Sequence, residues 1–325
     1  TGTNAVAIGA FSSSTGNSAL ALGNGTSASH AFTLAAGYNA QASSQFGATA
    51  LTNSYASGSY SFAAAIANNT SSYGATGTSS VAMGYRAKAS GSFSSISVGL
   101  DSVSSGRASV AIGEGAVASA DSAVSLGEDS TASGANSSVL GGLQNTASAL
   151  RSVVLNGYQN TASGEYSVAS GVNAKSDKHA KVSHSGGQFS AQGDAQTGTF
   201  VLRSDTTDAT AEALTSNNST ATATNQVILP NNSAYAFSGT IVARQSAATG
   251  TASAAWKIEG LIRREGSAGT TVLVNSATTV LDNTPAWGMA LTADTTNGGL
   301  AITVTGAAGT NIRWVATINT SEVTY

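Results

Sequence analysis

The stretch SVAIGEGAVASADSAVSLGED, Ser109 to Asp129, states one phrase twice. Ser109-Val110-Ala111-Ile112-Gly113 returns fourteen residues later as Ala123-Val124-Ser125-Leu126-Gly127. With the closing glycine as a marker, the phrase recurs at Gly9, Gly23, Gly37, Gly84, Gly99, Gly113, Gly127, Gly142, Gly157 and Gly171, and Leu51 and Ala65 carry the phase between Gly37 and Gly84. Most steps are fourteen residues; the long step from Ala65 to Gly84 reads as a loop near Asn68 to Gly77. A fixed short period is the signature of stacked repeats, each too small to bury its apolar face without its neighbours.

Two columns run through the array. Three residues before the markers stand Val6, Leu20, Leu34, Ala48, Phe62, Val81, Ile96, Val110, Val124, Val139, Val154 and Val168, a column that reads as a core. One residue before them stand Ile8, Leu22, Ala36, Ala50, Ala64, Met83, Val98, Ile112 and Leu126, after which Gly141, Asn156 and Ser170 thin the column. Alternation at period two predicts a short strand with one buried face, and a second short element follows each glycine, as in Ala87-Lys88-Ala89 and Ala116-Val117-Ala118. Stacked strands pair with their copies at ~4.8 Å. The Ala and Ser at the remaining positions imply a very thin coil with too little interior for a monomer, so several chains are expected to share one core, as a homotrimer.

The phrase S-x-A-x-G, followed by a glycine or polar pair and then A-x-A-x-G, resembles the head repeat of trimeric autotransporter adhesins of the YadA type. The resemblance covers Thr1 to about Gly171. It implies a left-handed parallel β-roll of fourteen-residue repeats with three chains around one axis.

After Gly171 the rhythm is read as stopping, and Asn173 to Phe189 holds Lys175, Asp177, Lys178, His179 and His184. This reads either as a solvated linker or, as the resemblance implies, as a neck whose Lys175, Asp177 and Lys178 pair between chains. From Thr199 longer alternating strands follow: Tyr235, Phe237, Gly239 and Ile241; Trp256, Ile258, Gly260 and Ile262; Trp287, Met289 and Leu291; Leu300, Ile302 and Val304; Ile312, Trp314 and Ile318. Turn signals separate them at Pro230-Asn231-Asn232, Gly266 to Gly269, Asn283-Thr284-Pro285, Asn297-Gly298-Gly299 and Gly306 to Gly309. The expected fold is all-β: a repeat shaft over 1–172, a neck or linker over 173–198, and an antiparallel β-sandwich or jelly roll over 199–325. Each tryptophan stands on an apolar strand face and is expected in the core. In size and position this last part is similar to the terminal sandwiches of bacteriophage tail fibres.

Composition excludes several functions. Charged residues make up 9% of the chain, none precedes Arg86, and the net charge is −3, so the basic stripe that nucleic-acid binding requires is missing. Without cysteine there is no disulfide framework or thiolate site. The longest apolar runs fall far short of the ~20 residues of a membrane helix. The chain opens on Thr1, which reads as a processed product or a segment of something longer.

Candidate chemistry is sparse. His30 lies in a rung turn; three copies of His179 or of His184 around an axis are a conceivable metal site, but solvated or satisfied histidine is the favoured reading, and no metal or cofactor is expected. Asp205, Asp208 and Glu212 cluster as carboxylates do in glycosidases, yet in a polar, turn-like stretch that more naturally caps turns. Glu114, Glu128 and Asp129 read as a solvated fringe. The expectation is a non-enzymatic bacteriophage fibre or spike on the virion exterior. It would bind a host-surface glycan or protein through exposed tip loops near Asn231, Asn232, Arg263, Arg264, Asn297 and Asn311, and other virion proteins through an upstream part. The rival readings are a bacterial trimeric surface adhesin and a purely structural decoration of a capsid or tail.

Overall fold

A computed structural model describes residues 2–65, 72–248, 250–283 and 285–325. The chain divides into two compact units, Thr1–Tyr158 and Gln159–Tyr325. Among the described residues the ordered elements are strands, apart from one 3-10 turn at Ala268–Thr270.

Thr1–Tyr158 is a β-solenoid of two parallel sheets. One sheet stacks the strands Val6–Ile8, Leu20–Leu22, Leu34–Ala36, Thr49–Leu51, Phe62–Ala64, Val81–Met83, Ile96–Val98, Val110–Ile112, Val124–Leu126, Ser138–Val139 and Val153–Tyr158. The other stacks two-residue strands from Ser13–Ser14 to Thr146–Ala147. The phrase quoted above pairs with itself in register, Val110 with Val124, Ala111 with Ser125 and Ile112 with Leu126. Glycine closes each phrase because successive backbones nearly touch there. Gly113 sits at φ +135°, and a Cβ on it would lie 2.1 Å from the carbonyl oxygen of Gly127.

The column expected to form the core lies outside. From Leu20–Leu22 onward the middle residue of each three-residue strand is the buried one, as at Ala21, Ala35, Ala82, Ser97, Ala111 and Ser125, facing Ala28, Ala42, Ala89, Ser104, Ala118 and Ala132 of the second sheet. The flanking Val, Leu and Ile point outward and are half-buried or exposed. The physical reason is room: two strands joined by such short turns leave space between the sheets chiefly for Ala or Ser, with Val admitted at Val139 and Val154. Interior hydroxyls such as Ser97 and Ser104 are satisfied locally, Ser97 Oγ donating to the Ser102 carbonyl at 2.8 Å and Ser104 Oγ to that of Ser109 at 2.9 Å.

Register differs from expectation in two places. Leu34 pairs with Thr49 and Ala36 with Leu51, so Thr49 and Leu51 hold the outer columns while Ala48 and Ala50 are buried. Val139 and Val154 also turn inward, fully buried, and Ser138 with Leu140 and Val153 with Leu155 take the outer places. The second column therefore stays apolar through Leu155 instead of thinning at Gly141 and Asn156. At Ser138–Val139 the extra Gly141 lies between strand and closing glycine, so counting back from Gly142 slips by one, while at Thr49–Leu51 the marker Leu51 is itself the last residue of the strand. Of the loop expected at Asn68 to Gly77, residues 68–71 lie outside the described residues, and Gly74–Ala75 is already a strand paired with Lys88 and Ala89.

Gln159–Tyr325 opens with the same kind of pairing. Thr161–Ala162 runs parallel to Lys175–Ser176, and Val168–Val172 to Val182–Gly186, so roll-type ladders occupy part of the stretch read as a neck. Val182–Gly186 then pairs antiparallel with the strand Ala195–Thr206. That strand is the first of a five-stranded antiparallel sheet in the order Ala195–Thr206, Ile312–Thr324, Ser233–Gln245, Ser253–Arg264, Val272–Asp282. A smaller sheet is built on Gly299–Thr305, flanked by Gly288–Asp294, Ala211–Ala213 and Val227–Ile228. The two share one core of Phe200, Leu202, Leu214, Leu229, Tyr235, Phe237, Ile241, Ile258, Ile262, Leu300 and Ile302 with all three tryptophans. The Trp314 ring lies 5.8 Å from Trp256 and 5.7 Å from Trp287, and its Nε1 donates to Thr206 Oγ1 at 2.9 Å. Thr284 of the expected Asn283 to Pro285 turn lies outside the described residues.

A buried ion pair ties the roll-type turns of this unit to its sheet. Lys181 Nζ lies 2.6 Å from Glu322 Oε2, with side chains 2% and 0% exposed. Gln196 Nε2 at 2.8 Å and Thr320 Oγ1 at 2.7 Å also donate to the carboxylate, and the ammonium lies over the rings of Phe200 and Tyr235. Burial, then the charges of Glu322 and Asp177, pushes the Tyr235 hydroxyl well above its ordinary pKa.

Candidate functional site

The long strands of the terminal sandwich carry exposed residues at both ends, and pairing decides which loops meet. Ser233 pairs with Thr324 and Arg264, while Ala195 pairs with Val323, so the loops at 230–232 and 264–266 gather at one end, near the pairing of Val182–Gly186 with residues 197–199. Gln245 and Thr206 both pair with Ile312 at the other end, about 40 Å away at ~3.4 Å per residue.

Five of the six residues expected from sequence fall at the first end. Asn232, Arg263 and Arg264 line an open cleft of about 430 Å³ with Val323, Thr324 and Tyr325; Asn231 is exposed beside them. Asn232 donates its N–H to the Glu265 carbonyl at 3.2 Å, and Arg263 lies 3.7 Å from Glu265. Arg264 Nη1 donates to the Leu229 carbonyl at 2.7 Å and packs where a Cβ on Gly298 would stand, so it braces two loops. Asn297 donates Nδ2 to Asp294 Oδ2 at 2.7 Å and closes its own turn. Asn311 stands apart at the opposite end, where its carbonyl accepts the Ser246 N–H at 2.8 Å.

That opposite end holds a second cleft, of about 420 Å³, lined by Asp205, Arg244, Gln245, Ser246, Ala247, Asn311 and Arg313. Sequence reasoning passed over Arg244 and Arg313 because each is one polar step in an alternating strand. The available signal was their place at strand ends, Arg244 one residue before the end of Ser233–Gln245 and Arg313 one after the start of Ile312–Thr324.

The other candidates resolve into local contacts. Asp208 accepts the Thr210 N–H at 2.7 Å, a bond that holds its carboxyl below the ordinary value, and Glu212 Oε2 accepts Ser204 Oγ at 2.7 Å. Glu114, Glu128 and Asp129 are exposed. His30 Nδ1 lies 3.1 Å from Ser29 Oγ. His179 Nδ1 lies 2.9 Å from Ser216 Oγ, with its ring 5.4 Å from Tyr166. His184 points outward and contacts Ser170 Oγ at 3.1 Å. Asp177 and Lys178 pair within the chain at 3.1 Å. Among the described residues no group of three or more His, Asp and Glu converges as a metal site.

The YadA head domain repeat matches residues 1–26, 75–102, 93–116, 104–127, 118–143 and 156–174. No curated protein sequence is detectably similar to the chain. Among solved structures, a tailspike protein, gp49, of Acinetobacter baumannii bacteriophage Fri1, a capsular polysaccharide depolymerase, is matched at 9% identity and a TM-score of 0.24 over 93% of this chain and 62% of that one. The tailspike protein of Acinetobacter baumannii phage AM24 is matched at 9% identity and a TM-score of 0.20 over 93% of this chain and 56% of that one. The chain thus spans less than two thirds of the length of either tailspike. YadA head repeats are thus present in this chain, and where the match runs continuously, over 75–143, the strands stack in in-register parallel ladders.

Proposed function

We propose that this chain is a structural fibre or spike protein on the exterior of a bacteriophage particle, assembled as a homotrimer, whose terminal sandwich attaches to a host-surface glycan or protein. The observation that carries this reading is the inverted repeat. The solenoid hides mainly Ala and Ser and turns most of its larger apolar side chains outward, as at Ile8, Met83, Ile112, Leu140 and Leu155. Burying each such side chain contributes roughly 1.5–3 kcal/mol, a gain left unrealised until other copies cover the columns. Identical chains satisfy this most simply by closing around an axis. The sandwich then offers clefts at strand ends, where recognition is commonly placed.

The match to YadA head repeats supports a second reading, a bacterial trimeric surface adhesin. Immunogold imaging with an antibody against residues 199–325 separates the two: label on virions is the expected result, and label confined to bacterial envelopes contradicts it. The proposal contains no cleavage step. Incubating the full chain with host capsule should leave polymer length unchanged, and shortening would make the chain an enzyme.

A further inference from the structure

Resting on the attachment reading above, we propose that the cleft at the Gln245 and Ile312 end of the sandwich binds the carboxylate of an acidic saccharide, with Arg244 and Arg313 as the anion-binding pair. Register is the starting point. Arg244 of Ser233–Gln245 lies directly opposite Arg313 of Ile312–Thr324, and Arg313 lies directly opposite Asp205 of Ala195–Thr206. All three are exposed on one sheet face. Like charges directly opposite one another weaken a strand pair, whereas opposite charges support it. Asp205 supplies one negative charge for two guanidinium groups. It reaches Arg313 at 3.8 Å while the Arg313 side chain is 85% exposed, a long, solvent-screened contact that compensates little. One step inward on the same face, exposed Arg203 stands opposite Val315 and adds further positive charge.

This concentration occurs in a chain with only 9% charged residues and a net charge of −3, so it does not follow from composition. Arg244 is also held in place, its Nη1 donating to the Thr251 carbonyl and, at 3.4 Å, to that of Ala252. A guanidinium fixed in this way presents its remaining N–H groups as a planar fork, the geometry that matches a carboxylate bidentately. Gln245, Ser246 and Asn311 line the rest of the cleft with amide and hydroxyl groups, which donate and accept as sugar hydroxyls require. The cleft, at about 420 Å³, falls within the range of small-ligand sites. Arginines gathered at one end of the sheet without a continuing basic stripe suit one acidic sugar better than a polyphosphate backbone.

The test is calorimetric titration of the full chain with oligoglucuronate, oligosialate, a neutral dextran oligosaccharide of equal length, and sulfate alone. The expected result is binding of an acidic oligosaccharide, weakened by added salt and lost roughly ten-fold or more in Arg244→Gln/Arg313→Gln, while Arg107→Gln, an exposed arginine of the solenoid, leaves it unchanged. Equal binding of the neutral oligosaccharide, sulfate alone binding as tightly as the saccharides, affinity indifferent to the double substitution, or no binding would each overturn the inference. Adsorption of the same preparations to host cells separates this from the broader reading. A chain that adsorbs yet ignores acidic saccharides defeats the inference alone; one that binds them through the arginines yet never adsorbs leaves the site standing and defeats attachment.

Discussion

Lys181 occupies a place that earlier turns give to small residues. Its strand neighbour Val182 pairs with Val168, so Lys181 follows Ser167 in the buried column. An ammonium there is tolerated because Glu322, from the last strand, meets it in the interior. Removing one partner of a buried pair strands the other, at a cost of about 3–5 kcal/mol, whereas replacing both with apolar side chains is often neutral. Lys181→Met and Glu322→Leu should therefore each lower the denaturant midpoint sharply, and the double variant should recover most of the loss; single variants that melt like the parent would contradict this. Asp177, nearby, sets the acid behaviour. Burial raises its pKa, but Lys178, Lys181 and Lys175 outweigh burial and hold it below the ordinary value. Asp194 shifts the same way, because N–H groups of Ser190, Ala191 and Phe189 outweigh burial. A carboxyl with a depressed folded pKa contributes stability that is present above the ordinary value of ~3.9 and lost as pH falls through the folded one. Thermal midpoints should stay level down to about pH 4 and drop below it, less steeply in Asp177→Asn. None of this was legible from the sequence, where Lys181 and Glu322 lie 141 residues apart.

At the scale of the strand, period was legible and parity was not. The glycine spacing announced stacked short strands, and the alternation in Val110-Ala111-Ile112 was plain. Which face turned inward depended on the width of the coil, a property of the folded pair of sheets. Large residues signal the inside in ordinary strands, as they do correctly at Tyr235, Phe237 and Ile241, where a wide sandwich core receives them. In the solenoid the same rule points the wrong way, and a one-residue slip reverses every side chain. The two faces should answer differently to substitution. Ala111→Leu overpacks the interior and should destabilise by about 1–3 kcal/mol in a denaturant melt. Ile112→Asp should leave that turn folded and instead weaken assembly, seen as a shift toward smaller species on size exclusion. The reverse assignment of effects would restore Val110 and Ile112 to the core.

In the whole molecule, a charge-poor repeat with outward apolar columns precedes a sandwich whose proposed recognition groups sit at strand ends. The sequence named loops at both ends without distinguishing them, because strand pairing, not loop composition, brings Asn232 to Arg263 and Arg244 to Arg313. The proposed trimer rests on the outward columns and does not depend on the ligand. Sedimentation equilibrium on the full chain at micromolar concentration tests this most directly. A single species at three times the 31.8 kDa chain mass is the predicted result, and a folded, monodisperse species at 31.8 kDa would contradict it.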